Sequence, residues 1–155
     1  MSKISIIMGS ESDLGTVNET VKVLKDFGAD FEIRVLSAHR APDNLKKYVK
    51  KATEKGFKVF IGAAGGAAAL AGVIASNTTL PVIGVPIETK SLKGLDSLLS
   101  TVQMPTGVPV ATMAIGKPGA RNAAIFALEI LGINDKKIQA KLARYKNKLR
   151  IKLKK

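Results

Sequence analysis

The chain contains one histidine, in the stretch Ser37-Ala38-His39-Arg40-Ala41-Pro42. An imidazole exchanges protons near neutral pH, and the guanidinium beside it offers a planar fork that fits a phosphate or a carboxylate. His39 and Arg40 therefore pair a proton-transfer group with an anion anchor, and Ser37 adds a hydroxyl; the plain alternative for a lone loop histidine is exposure to solvent. A second candidate is Gly9-Ser10-Glu11-Ser12-Asp13. Serine hydroxyls and helix N–H groups can hold a phosphate there, or Ser12 or Asp13 can simply cap the next helix. The spacing is neither a Walker loop nor a dinucleotide fingerprint, which argues against ATP and NAD. Phosphate would repel Asp13, whose carboxylate better suits sugar hydroxyls. The third candidate, Gly62-Ala63-Ala64-Gly65-Gly66-Ala67-Ala68-Ala69-Leu70, has no side chain for acid–base work. It offers close backbone approach and N–H donors, or else tight packing of a helix on a sheet. A fourth loop, Gln103 to Pro109, either covers the site or is an ordinary turn into a strand.

These stretches lie between periodic segments. Ile4 to Met8 reads as a strand. Leu14, Val17, Val21, Leu24 and Phe27 follow at helical spacing and stop at Gly28. Phe31 to Leu36 is a second strand, and Pro42 opens a helix that runs to about Lys55. Lys58 to Ile61, Val82 to Val85 and Val108 to Ile115 give three more strands, with Pro109 best placed at the start of the last. Helices are expected to about Ser76, over Leu92 to Thr101 and over Ala120 to Leu131, and Asn134 or Asp135 caps a final one. Alternating strands and helices imply a parallel sheet of about five strands covered on both faces, an αβα sandwich in a single domain over residues 1–155. Ligands in such folds bind beyond the carboxyl ends of the strands, where residues 9–13, 37–42 and 62–70 all fall.

Composition narrows the function classes. The absence of cysteine excludes disulfides, thiolate catalysis and cysteine-based zinc, and one histidine argues against a histidine metal site. Val59 to Ile87 is uncharged, but glycines and alanines fill its first half and polar residues and prolines its second, so it is not a membrane span. The N-terminal apolar run is too short for a secretory signal, and a cytoplasmic protein is expected. Net charge is +13, of which residues 136–155 supply +10 from ten Lys/Arg and no acid. Ile138, Leu142, Tyr145 and Leu149 form one apolar stripe in that segment, so residues 134–155 read as a basic amphipathic helix packing on the domain or on a neighbouring subunit. A nucleic-acid role is not expected, because no aromatic-rich RNA motif accompanies the charge.

Met8-Gly9-Ser10-Glu11-Ser12-Asp13 resembles the MGSxSD motif of the PurE family, and Ser37-Ala38-His39-Arg40-Ala41-Pro42 its SAHRxP motif. Ala64-Gly65-Gly66-Ala67-Ala68, Pro81 to Pro86, Gly94 to Ser100 and Val102 to Pro105 continue the match in the family's order, over residues 3 to 150. Arg40 and the double glycine resemble the class I branch, the N(5)-carboxyaminoimidazole ribonucleotide mutases of purine biosynthesis. The class II branch, which carboxylates aminoimidazole ribonucleotide with carbon dioxide, typically has lysine after the histidine. The resemblance implies a flavodoxin-like fold, a homo-octamer with sites between subunits, an imidazole ribonucleotide as ligand, and neither metal nor organic cofactor. It implies His39 as general acid and base, Ser10 and Asp13 on the ribonucleotide, and Ser37 and Arg40 on the phosphate. Gly9, Ser12, Ala38 and Leu70 complete the implied binding residues, with the backbone of Ala64, Gly65, Gly66, Ala67 and Ala68 around the imidazole and a trapped carbon dioxide. The chain departs from the family at Ala69, where a histidine is usual, at Ala71, where proline is usual, and at Ala63, where glycine is usual. Loss of the imidazole at 69 could weaken activity or leave a diverged ribonucleotide binder.

Overall fold

The computed structural model describes residues 3–153. Its elements are β1 (Lys3–Met8), a 3-10 turn (Glu11–Asp13), α1 (Leu14–Phe27), β2 (Asp30–Val35), α2 (Pro42–Glu54), β3 (Phe57–Ala64) and α3 (Leu70–Ala75). There follow β4 (Val82–Pro86), α4 (Leu95–Val102), β5 (Ala111–Thr112), α5 (Lys117–Gly132) and α6 (Lys136–Lys152). The strands form one sheet in the order β2-β1-β3-β4-β5, and every pairing is parallel. This is the flavodoxin-like order, in which the winding reverses between β1 and β3.

The central strands are apolar on both faces because helices cover both. Ile4 and Ile6 pack with Val17, Val21 and Leu24 of α1 and with Ala120, Ala123 and Ala127 of α5. On the other face Ile7 and Phe60 meet Leu45 and Val49 of α2 and Ile74 of α3. Ile4, Ile6 and Ile7 have no exposed surface, and burying each contributes about 2 kcal/mol. Ser5 shares the second face and is equally buried, its hydroxyl 2.8 Å from the Tyr48 hydroxyl of α2. On the first face the buried Glu19 of α1 accepts from Arg121 Nε of α5 at 2.6 Å and from Lys22 at 2.8 Å. Those two cations hold its carboxyl below the usual glutamate range.

The expected αβα architecture is observed, with several boundaries moved. β3 continues three residues beyond Ile61, so Gly62, Ala63 and Ala64 are strand rather than loop. β5 is two residues long, not eight. Pro109 has no N–H to give the ladder and the strand lies at the sheet edge, although Met113 N–H still reaches the Gly84 carbonyl at 2.9 Å. α4 begins at Leu95 rather than Leu92, because Lys93 and Gly94 take positive φ and cannot lie in a right-handed helix. α5 begins three residues early, with Pro118 in its first turn.

Asp135, one of the two expected caps, accepts from the N–H groups of Lys137 and Ile138 and starts α6. Ile138, Leu142 and Tyr145 pack on the α1–α5 side, and Tyr145 meets Phe27 edge-on with ring centroids 5.7 Å apart. Lys141 donates to the Phe27 carbonyl at 2.6 Å. Leu149, the last residue of the expected stripe, stays 45% exposed. Lys154 and Lys155 of the basic segment lie outside the described residues. No helix among the described residues is long and apolar enough to cross a membrane.

Candidate active site

Four strand ends open onto one cavity of about 300 Å³ beside the β1/β3 reversal. Gly9, Ser10, Ser12 and Asp13 arrive after β1; Ser37, Ala38, His39 and Arg40 after β2; Ala64, Gly65, Ala67, Ala69 and Leu70 from the end of β3 onward; and Ile87, Glu88 and Thr89 after β4. Parallel strands place all their carboxyl ends at one edge, which is why loops distant in sequence meet there.

Each segment is locally tied. Ser10 Oγ accepts from the Ser12 N–H at 3.4 Å and from the Ser12 hydroxyl at 3.0 Å, so Ser10 caps the 3-10 turn. The capping alternative for Asp13 does not hold, since its side chain makes no capping bond to α1. Burial pushes the Asp13 carboxyl above its usual range, opposed by a hydrogen bond with the Ser10 backbone. The 37–41 turn is closed by Ser37, whose Oγ accepts the Arg40 N–H at 3.1 Å and whose carbonyl accepts the Ala41 N–H at 3.0 Å. The Leu36 N–H donates to the Met8 carbonyl, which ties this turn to the end of β1. The turn leaves His39 and Arg40 solvent-accessible on the cavity wall. The Ile87 N–H donates to the Ala64 carbonyl at 2.9 Å and locks the fourth segment to the third.

Of the site residues implied by the resemblance, Gly66 and Ala68 do not line the cavity. Gly66 adopts φ +67° and forms the turn behind Gly65, while Ala68 is buried in the core. The Gln103–Pro109 loop does not line it either; Met104 leans on Gly72 of α3 instead. Ile87, Glu88 and Thr89 also line the cavity although their residue types do not mark them, and Ala69 lines it from within the Gly62–Leu70 stretch. The rule that selected the other loops, position just beyond a strand's carboxyl end, applies equally after Pro86. Among the described residues no group of three or more His, Cys, Asp or Glu side chains could hold a metal ion.

The arrangement defines an α/β domain of flavodoxin-like order with a cavity at its strand ends. A proton-transfer group, a guanidinium, a half-buried carboxylate and a backbone-walled floor converge at the reversal of its parallel sheet. The AIR carboxylase family model matches residues 3–152, and the chain belongs to that family. It is 55% identical over 150 residues to a protein of Pyrococcus abyssi named N5-carboxyaminoimidazole ribonucleotide mutase, covering 97% of this chain and 85% of that one. A Thermotoga maritima protein of the same name is 52% identical, with 97% and 86% covered. Among solved structures, Treponema denticola PurE superposes with a TM-score of 0.91 at 28% identity, covering 99% of this chain and 94% of that one.

Proposed function

We propose that this chain is a mutase of purine biosynthesis that converts N(5)-carboxyaminoimidazole ribonucleotide to its ring-carboxylated isomer. The observation that carries this reading is the convergence of His39, Arg40, Ser10 and Asp13 on one cavity floored by Ala64, Gly65 and Ala67. The names of its relatives at more than half identity supply the substrate. Arg40, with the Ser37 hydroxyl, takes the phosphate, for which a guanidinium gives paired donors. Ser10 and Asp13 take the ribose side, Asp13 accepting from its hydroxyls. The carbamate C–N bond then breaks, carbon dioxide leaves, and His39 gives its proton to the departing nitrogen. Ring carbon four attacks the held carbon dioxide, and the neutral His39 removes the proton from that carbon, regenerating the starting protonation state. One proton shuttle is sufficient, and the rest of the catalysis is confinement of carbon dioxide against the ring.

Ala69 lies on the cavity wall and contributes only a methyl group where the family usually has an imidazole. The proton shuttle is assigned to His39, so the proposed chemistry does not require a second histidine. A homo-octamer in the cytoplasm completes the proposal. Leu92, Leu95, Leu99 and Val102 on and just before α4, each about half exposed, are apolar surface for contacts between copies.

The test is turnover of freshly prepared N(5)-carboxyaminoimidazole ribonucleotide, followed by product separation, with aminoimidazole ribonucleotide plus carbon dioxide run alongside. Mutase turnover is expected, and His39→Asn should lower kcat by roughly 10²–10⁴-fold in a folded protein. Turnover of the second substrate pair alone would make the chain a carboxylase. Binding without turnover of either would make it a diverged ribonucleotide binder.

A further inference from the structure

We propose that Ser97, a residue of α4 outside the cavity lining, is a positioning residue that fixes the backbone of two of the four site segments. The inference rests on the mutase reading for its kinetic consequences and on geometry alone for the clamp. Ser97 has no exposed surface. Its hydroxyl donates to the Ile87 carbonyl at 2.6 Å and accepts the Gly66 N–H at 3.0 Å. With the Ile87 N–H on the Ala64 carbonyl at 2.9 Å, this closes a ring through Ala64, Gly66, Ile87 and one hydroxyl. Gly65 sits inside that ring on the cavity wall, and a Cβ placed there would already touch the Ile87 side chain at 3.4 Å.

The ring sets the orientation of a peptide. N–H and C=O of a trans peptide point in opposite directions, so holding the Gly66 N–H toward Ser97 turns the Gly65 carbonyl away from α4. Gly66 takes a left-handed φ of +67°, and a Cβ there would meet nothing within 4 Å. Hydrogen bonds restrain it: besides the bond to Ser97, its carbonyl accepts the Ala68 N–H at 2.8 Å. Ser100 adds a weaker tie, donating to the Gly66 carbonyl at 3.2 Å. The adjoining Thr89 is held from the same helix end, donating to Asp96 Oδ1 at 2.7 Å and accepting the Gly94 N–H at 3.1 Å. A serine suits position 97 because one small group must donate and accept at once without water. Alanine would leave the part-buried Gly66 N–H and Ile87 carbonyl without that partner.

If this backbone confines carbon dioxide, loosening it should release the gas before recarboxylation while ribose and phosphate contacts persist. Ser97→Ala should lower kcat at least about tenfold with KM changed less than about threefold. A larger share of turnovers should end as aminoimidazole ribonucleotide, after subtraction of the spontaneous rate. Hydrogen exchange at the Gly66 amide, read without any substrate, should be at least about tenfold faster in the variant. Unchanged exchange at Gly66, or kcat and leakage within about twofold of wild type in a folded variant, would overturn the proposal. If Ser97→Ala does not fold, Gly66→Ala decides by the same kinetic readouts, since it strains the same turn and leaves the core intact. Wild-type protein that turns over neither substrate would count against the mutase reading, and Gly66 exchange would still judge the clamp.

Discussion

Asp13 illustrates a side chain whose proposed role in binding opposes its effect on folding. Burial raises its native pKa, so stability associated with its protonated form is fully present below the unfolded-state pKa. That stability is lost as pH rises through the higher native value. At neutral pH the ionised carboxylate thus costs stability, while ionisation is the state that accepts from sugar hydroxyls. Asp13→Asn should raise Tm at pH 7 by about 1–3 °C and weaken ribonucleotide affinity about tenfold or more. The stability gain should shrink as the pH is lowered below the native pKa and Asp13 protonates. Calorimetry across pH with a binding titration checks both, and a lower Tm at pH 7 would contradict the burial argument. At this scale His39, Arg40, Ser10 and Asp13 were legible in the sequence because their chemistry is distinctive. Ile87, Glu88 and Thr89 were not, because an Ile-Glu-Thr run carries no distinctive chemistry, even though the strand before it, Val82 to Val85, was legible. The clamp at Ser97 was hidden for a further reason: its work depends on two backbone groups, Gly66 and Ile87, that lie 31 and 10 residues away.

Elements were legible where periodicity and stop signals agreed. α1 and α2 begin and end within a residue or two of expectation, because Gly28 stops one and Pro42 opens the other. Boundaries failed where backbone rather than composition decided, as at Lys93 and Gly94 before α4 or in the short β5. The start of α5 is another such place. Gly119 lies in its first turn, and a Cβ there would stand 1.6 Å from the Ala114 carbonyl oxygen, a backbone atom that no rotamer change can move. Three residues before Gly119, the chain is pinned to the sheet, since the Gly116 N–H donates to the Pro86 carbonyl at 2.9 Å, next to Ile87 of the cavity. Gly119→Ala should therefore force α5 away from β5 at a cost of about 2–3 kcal/mol, lowering Tm by about 4–10 °C. Thermal unfolding measures this directly; a variant that melts with the wild type would mean the helix start can shift freely.

At the scale of the whole molecule, charge and apolar surface are segregated. Residues 136–155 carry most of the +13, while α4 on the opposite side of the sheet from α1 and α5 carries about half-exposed Leu95, Leu99 and Val102. Copies that assemble bring like charges together and must offset that repulsion with buried apolar area. The outward face of α4 provides such area, while its inward face, through Ser97 and Thr101, faces the interior of its own chain. Contact between copies at α4 would therefore press on the helix that holds Gly66, Ile87 and Thr89, coupling assembly to the shape of the site. Leu95→Glu with Leu99→Glu places two like charges on that face in each copy while leaving Ser97 and Thr101 untouched. The double variant should sediment as smaller species than wild type, and kcat should fall with the loss of assembly. Higher salt should partly restore the large species by screening over about 8–10 Å. A double variant that sediments and turns over as wild type would remove α4 from the interface and separate the proposed octamer from the proposed clamp.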